Sequence, residues 1–326
     1  MKVVVTGAAG FIGGNLTREL LKDKTVEVIG IDSFTDYYNP EIKRQNVLSL
    51  GDRGFTLVED DLSSMDLTDL LQDVDAVFHQ AGQPGVRKSW GSEFETYTRN
   101  NIAVTQRLLE AAKSSTTMKS FVYASSSSVY GDAEGFPTHE SDLPRPMSPY
   151  GVSKLAAEHL VTLYAKNFGV PTTSLRYFTV YGPGQRPDMA FNKFIRAGLR
   201  DRKLTIYGDG RQIREFTHVA DIVRANIAVL RASPAPGSVI NLSGGSSVTV
   251  NETLEVLASI LQKPLSVEYA AKVAGDVFRT GGSTNRAKEL LDWTPTIDIR
   301  EGLESQVSWM ESLPEALFDT HSNHAG

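Results

Sequence analysis

The chain has 326 residues, enough for one large or two modest domains, and its 40% hydrophobic and 22% charged content is that of an ordinary globular protein. A formal charge of −6 argues against a nucleic-acid partner, which needs a basic face. No cysteine is present, which excludes disulfides and thiolate metal sites and fits a cytoplasmic protein without a metal. The opening MKVVVTG enters a strand-like run with no signal h-region, and no apolar stretch approaches the roughly 18 residues of a membrane helix, so no membrane partner is expected.

In chain order, short β-rich runs alternate with helical patterns. Val3–Val5 precedes apolar residues at helical spacing over 12–21, and Val26–Ile31 and Phe55–Glu59 read as the next strands. Asp75–His79, a helix over 104–112 and a strand at Ser120–Ala124 continue the series. Strands joined by helical crossovers predict an α/β fold, a doubly wound parallel sheet. The second half is more irregular. A buried strand is expected from Pro171 to Tyr181, with helices near 191–199 and 220–230 and a helix start at Asn251. There is no internal repeat, no low-complexity segment and no sharp domain boundary.

The first candidate motif is VVVTGAAGFIGGNL, after the first strand. Gly7, Gly10 and Gly13 are spaced three apart: the first for a tight turn, the second for approach of backbone to a diphosphate, the third for close helix packing. The helix start at Phe11 and Ile12 then points free N–H groups at the phosphates. Alone, such a loop also fits a tight turn with no ligand. Asp32 ends the second strand, 25 residues after Gly7. A carboxylate there accepts both ribose hydroxyls and repels a 2′-phosphate, which points to NAD instead of NADP. Asp61 and Leu62 are adenine neighbours, and the backbone at Gln80 and Ala81, after the fourth strand, lines the cofactor. His79 reads as a satisfied core histidine.

The second motif is SPYGVSKLAAEHLVTLYAKNFG, a helix capped by Ser148, started by Pro149 and ended by Gly169. Tyr150 and Lys154 are four apart and share a face. A tyrosine beside an ammonium and a cationic nicotinamide is expected to have its pKa pulled below about 10 and to act as a base toward a substrate hydroxyl. Lys154 also reaches the nicotinamide ribose. A tyrosine–lysine pair by itself is equally a surface-helix feature.

With TGAAGFIG, Asp32, NNIAVTQRLLEAA, YASSSSVYG, SPYGVSKLAAE, LRYFTVYGPG, REFTHVADIVRA and GDVFRT together, the sequence resembles the extended short-chain dehydrogenase/reductase family, in its sugar-nucleotide epimerase and dehydratase branch, nearly end to end. The resemblance implies a Rossmann NAD-binding domain over 1–172. It implies a smaller C-terminal lobe, mainly 173–326, that holds a UDP-sugar, with the chain crossing between lobes. It also implies NAD kept through the cycle, and a homodimer pairing the helices around 94–113 and 149–167.

Aligned on VYG, Ser126 falls where the family places its catalytic Ser or Thr, and Ser127 and Ser128 where 4,6-dehydratases carry an Asp–Glu acid–base pair. Serines cannot expel water from a hexose at neutral pH, so inversion at carbon 4 remains. Arg214 and Arg279 match positions that pair with the diphosphate, and Asp276 a region near the uridine ribose. Thr179 stands where glucose epimerases carry Asn. Ser126, Ser127, Ser128 and Thr179, with Arg186 approaching from its loop, would form a hydroxyl wall suited to a carboxylate, as in UDP-glucuronate 4-epimerases. Arg186 is equally placed for phosphate or uracil. The same wall would also accept the neutral 6-hydroxymethyl of UDP-glucose or UDP-N-acetylglucosamine, and a non-catalytic NAD-sensing protein is a third reading.

Overall fold

The computed structural model describes residues 1–51, 53–132, 135–271 and 279–318. Its strands are β1 (Lys2–Thr6), β2 (Glu27–Asp32), β3 (Phe55–Glu59), β4 (Ala76–His79), β5 (Ser120–Ser126), β6 (Thr172–Tyr177), β7 (Thr179–Tyr181), β8 (Leu204–Tyr207), β9 (Ile213–His218), β10 (Ser238–Leu242), β11 (Ser246–Thr249), β12 (Val267–Ala270) and β13 (Arg279–Thr280). Seven of them form a parallel sheet in the order β10-β6-β5-β4-β1-β2-β3. The expected doubly wound sheet is present. Its central strands are buried at every position of β4, β5 and β6. That is why they read as continuous apolar or small-residue runs: helices cover both faces.

One face packs the Phe11–Leu20 and Val219–Ala232 helices through Leu16, Leu20 and Ile222, with Trp293 in the same core. The other packs the Val104–Ser114 and Pro149–Phe168 helices through Leu108, Leu109, Val161 and Tyr164. Strand order reverses between β1 and β4, so the crevice beyond their C-terminal ends is where an open α/β sheet takes a ligand. Beside it lies a smaller lobe with its own core, including Phe191, Ile195, Phe216, Leu254 and Leu303. There β9 pairs with β7, β11 and β13, and β12 pairs with β8.

Several local expectations are corrected. The stretch 171–181 is not one strand. It breaks at Phe178, whose N–H bonds Leu242 O at 3.1 Å, and the chain leaves the large sheet as β6 and enters the small one as β7. The helix over 104–112 begins earlier, as an α turn at Phe94–Tyr97 and a π-helical stretch at Thr98–Ala103. The helix placed at Asn251 starts one residue sooner, because Thr249 and Glu252 form a reciprocal capping box. The chain re-enters the large sheet at β10, a five-residue run within a segment that reads as irregular.

Candidate active site

The glycine turn has the geometry its spacing calls for. Gly7 has φ +70° and its N–H bonds Ile31 O at 2.7 Å. A Cβ on Gly7 would lie 2.9 Å from Ala81 N, and one on Gly13 would lie 2.1 Å from Gly7 O. Only glycine lets β1, the turn and the helix meet this closely. The Phe11–Leu20 helix has no side-chain cap, so its first N–H groups are left for a ligand.

Asp32 is buried at the end of β2. Its carboxylate accepts from Ala9 N at 3.2 Å and Phe34 N at 2.9 Å, and pairs with Lys43 Nζ at 3.4 Å. Lys43 sits on the Pro40–Leu48 helix, carries no motif spacing, and was invisible in the sequence. Across the crevice, Ala81 N donates to Thr6 Oγ1, and Gln80 Nε2 bonds Tyr177 OH and Asn226 Oδ1. His79 is fully buried between Thr6 and Thr105 hydroxyls, and burial lowers its pKa to about 3. It is a neutral core histidine. Gly7, Gly10, Phe11, Ile12, Gly13, Asp32, Asp61, Leu62, Gln80, Ala81, Tyr150, Lys154 and Arg186 all line one cleft, with Tyr37, Tyr38, Lys43 and Tyr177 in addition. The glycine cradle, uncapped helix and ribose-level carboxylate fit a dinucleotide.

Ser148 Oγ accepts from Gly151 N, Pro149 opens the helix and Gly169 ends it in the left-handed region, φ +71°. Lys154 Nζ donates to Ala124 O at 2.8 Å and lies 4.9 Å over the Tyr123 ring. Burial pulls this ammonium down to about 8, with the Glu158 charge acting against it. The Tyr150 ring packs edge-on to Tyr97. Burial raises its phenol, while a Ser126 hydrogen bond and the Arg186 charge act to lower it. Among this chain's own groups, Ser126 and the distant-loop Arg186 are the ones that oppose burial at the phenol.

The four serines separate. Ser125 Oγ donates to buried Glu158 at 2.6 Å. Ser126 Oγ accepts from Ser128 N at 3.2 Å, and Ser127 and Ser128 form a half-buried 3-10 turn. Ser126 is the register partner of Tyr177, so this turn and Thr179 leave adjacent strand ends. Arg186 pairs at two points with Asp188, at 2.9 and 3.0 Å, and lies 5.9 Å over Tyr37. Arg214 lies on the small sheet, where it is the register partner of Thr280, so Arg279, next in chain, stands on the adjacent strand. Asp276 lies outside the described residues.

The Bacillus cereus UDP-glucuronic acid 4-epimerase, in a crystal structure with UDP-glucuronic acid and NAD, is similar at a TM-score of 0.91 and 43% identity, over 95% of this chain and 99% of that one. An uncharacterized UDP-glucose epimerase, YtcB, of Bacillus subtilis (strain 168) is 42% identical over 314 residues, 96% of this chain and 99% of the relative. A UDP-glucuronate 4-epimerase of Thermodesulfobacterium geofontis (strain OPF15) is 36% identical over 321 residues, 96% of this chain and 97% of the relative. The model of the NAD dependent epimerase/dehydratase family matches residues 3–243, and the chain belongs to that family.

Proposed function

We propose that the protein is a UDP-glucuronate 4-epimerase that interconverts UDP-glucuronate and UDP-galacturonate with NAD held through the cycle. The observation that carries this is the meeting of Tyr150 and Lys154 with the glycine cradle in one cleft, beside the serine turn that ends β5. NAD⁺ held in this cleft would supply a reversible hydride acceptor for carbon 4 and a positive charge near the phenol. Asp32 and Lys43 fix the adenosine ribose, and Asp61, Leu62, Gln80 and Ala81 line the walls. Tyr150 takes the proton of the 4-hydroxyl while Ser126 shares its hydrogen bond, and Lys154 holds the nicotinamide ribose. After the 4-keto sugar turns about its phosphate link, Tyr150 gives the proton back. Arg214, Arg279 and Asp276 anchor the nucleotide diphosphate and its ribose.

The 4-keto form of a glucuronate is a β-keto acid that loses carbon dioxide when its carboxylate bond aligns with the carbonyl π system. Ser127, Ser128 and Thr179 hold the carboxylate out of that alignment. Hydrogen bonds to a charged group contribute about 1.5–3 kcal/mol each, and about 1.4 kcal/mol is tenfold in rate. Losing two of them gives decarboxylation the advantage.

A second reading, UDP-glucose or UDP-N-acetylglucosamine as substrate, is favoured by a wall of neutral hydroxyls, which suits a 6-hydroxymethyl group equally. A non-catalytic NAD sensor is disfavoured by the presence of both Tyr150 and Lys154 in the cleft. We also read the chain as a cytoplasmic homodimer with no nucleic-acid partner. Exposed Val152, Leu163 and Phe168 on the Pro149–Phe168 helix support the pairing, and the net charge of −6 supports the absence of nucleic acid. Incubating the purified protein with each UDP-sugar separately, without added NAD, decides the substrate. Conversion of UDP-glucuronate is expected; conversion of UDP-glucose alone would overturn the carboxylate reading.

A further inference from the structure

At the wall of the cleft, two successive residues of β5 grip two successive turns of one helix. Ala124 O takes the Lys154 ammonium at 2.8 Å, and Ser125 Oγ donates to Glu158 at 2.6 Å. Glu158 is 3% exposed and Lys154 6% exposed, four residues apart on the same face. From β6, Arg176 Nη2 and Nε reach the two Glu158 oxygens at 2.6 and 3.0 Å. Arg176 in turn bonds Tyr130 OH at 2.6 Å, and Tyr130 OH bonds Asn241 at 2.7 Å. Arg176 thus pairs directly with the Glu158 carboxylate, and Lys154 stands one helical turn from it on the same buried face.

The other neighbours of Lys154 supply no counter-charge. Tyr123 presents its ring face, and the nearby Asn101 side chain is a neutral amide engaged with Gln83 and Ser153. Tyr150 is a phenol raised by burial, and His79 on β4 is neutral. Among the described residues, Ser125 and Arg176 bond Glu158, and the buried Tyr123 phenol, which donates to Lys154 O at 3.5 Å, lies within reach of its charge and is raised by burial and then by that charge. An ammonium this deeply buried tends to shed its proton unless an anion stands near it. Arg176 keeps its own proton in any protein environment, so Lys154 is the cation that depends on the Glu158 charge.

We propose that Glu158 is a positioning residue: clasped by Ser125 and Arg176, it supplies the negative charge that keeps Lys154 a cation seated on the Ala124 carbonyl. The inference rests on Lys154 acting in the cleft as proposed above. It also gives Ser125 a task distinct from that of the three serines after it.

The test reads Lys154 directly. In protein with ¹³C-labelled lysine, the Cε resonance of Lys154, assigned against Lys154→Arg, is followed with pH. The wild-type midpoint is expected near 8, the value burial and Glu158 together give. Glu158→Gln lowers it by about one unit or more. Glu158→Asp keeps the charge but draws it back by one methylene, lowers the midpoint by less, and gives the direction even if the glutamine variant does not fold. Arg176→Met removes the competing cation and moves the midpoint up. An unchanged or raised midpoint in either Glu158 variant overturns the proposal, as does a fall in Arg176→Met, which would mark general disruption of the core. In an active preparation the alkaline limb of kcat follows the same midpoints while bound NAD stays constant. If no UDP-sugar turns over, the epimerase reading fails while the lysine titration still tests this one.

Discussion

Arg186 donates from Nε and Nη2 to the two carboxylate oxygens of Asp188, at 2.9 and 3.0 Å, and its charge acts on Tyr150 from a loop 36 residues further along the chain. The carboxylate offsets the guanidinium, so the two residues together set how far Arg186 opposes the burial that raises the phenol. Arg186→Met removes the charge, leaves burial less opposed and moves the acidic limb of kcat to higher pH by about half to one unit. Asp188→Asn leaves the guanidinium uncompensated and moves the limb the other way. A pH–rate profile of the two variants checks the pair; shifts in the same direction would remove Arg186 from the electrostatics of the base.

Tyr150→Phe keeps the ring that packs on Tyr97 and removes the hydroxyl. Turnover is expected to fall by about 10²–10⁴-fold, the usual worth of a positioned acid–base group, with NAD content unchanged. Cofactor release by heat and its absorbance, beside an epimerisation assay, separates the two quantities. Ser126→Ala removes the hydrogen bond that opposes burial at the phenol and is expected to cost less, about tenfold.

Asp32 receives two backbone N–H groups and the Lys43 ammonium before any ligand is considered. Asp32→Ala loses both the ribose acceptor and the counter-charge of a buried lysine, so NAD retention through gel filtration is expected to drop by about tenfold or more. Lys43→Met leaves the carboxylate in place and lowers retention less. Undiminished NAD in Asp32→Ala would exclude this residue from the adenosine site.

Acid should destabilise the fold before the carboxylates titrate. His79 and His218 have folded pKa values lowered by burial to about 3 and about 4, against 6.5 for an exposed histidine. Between those values and 6.5 the unfolded chain binds the extra protons, so stability is intact above 6.5 and falls as pH decreases toward the folded values. Fully buried His79 contributes about 1.4 kcal/mol of loss per pH unit in that window. Urea midpoints measured from pH 7 to pH 5 check the slope, and His79→Gln should flatten it.

Much of the fold was legible because its signals are local. Val3–Val5, the run ending at His79 and Ser120–Ala124 are apolar enough to declare buried parallel strands, and the order of strands and helical stretches limits how they connect. Ser148, Pro149 and Gly169 bound the Tyr150 helix through backbone chemistry that any tertiary context must obey. Gly7 and Gly13 announce a close approach because no other residue permits it.

Other features depended on contacts between segments far apart in the chain. The break at Phe178 follows from two sheets competing for one stretch of backbone, and β10 is a strand because β6 is there to pair with it. Lys43 meets Asp32, Arg186 reaches Tyr150, and Ser125 finds Glu158 only after the sheet has closed. By itself the sequence determined the local backbone: the buried strands of the first half, where the glycine turn bends, and which helix presents Tyr150 and Lys154 together. The tertiary structure alone decided the charges, because desolvation and the counter-ions around Tyr150 and Lys154 are sums over neighbours drawn from several elements, and no local spacing encodes a sum of that kind.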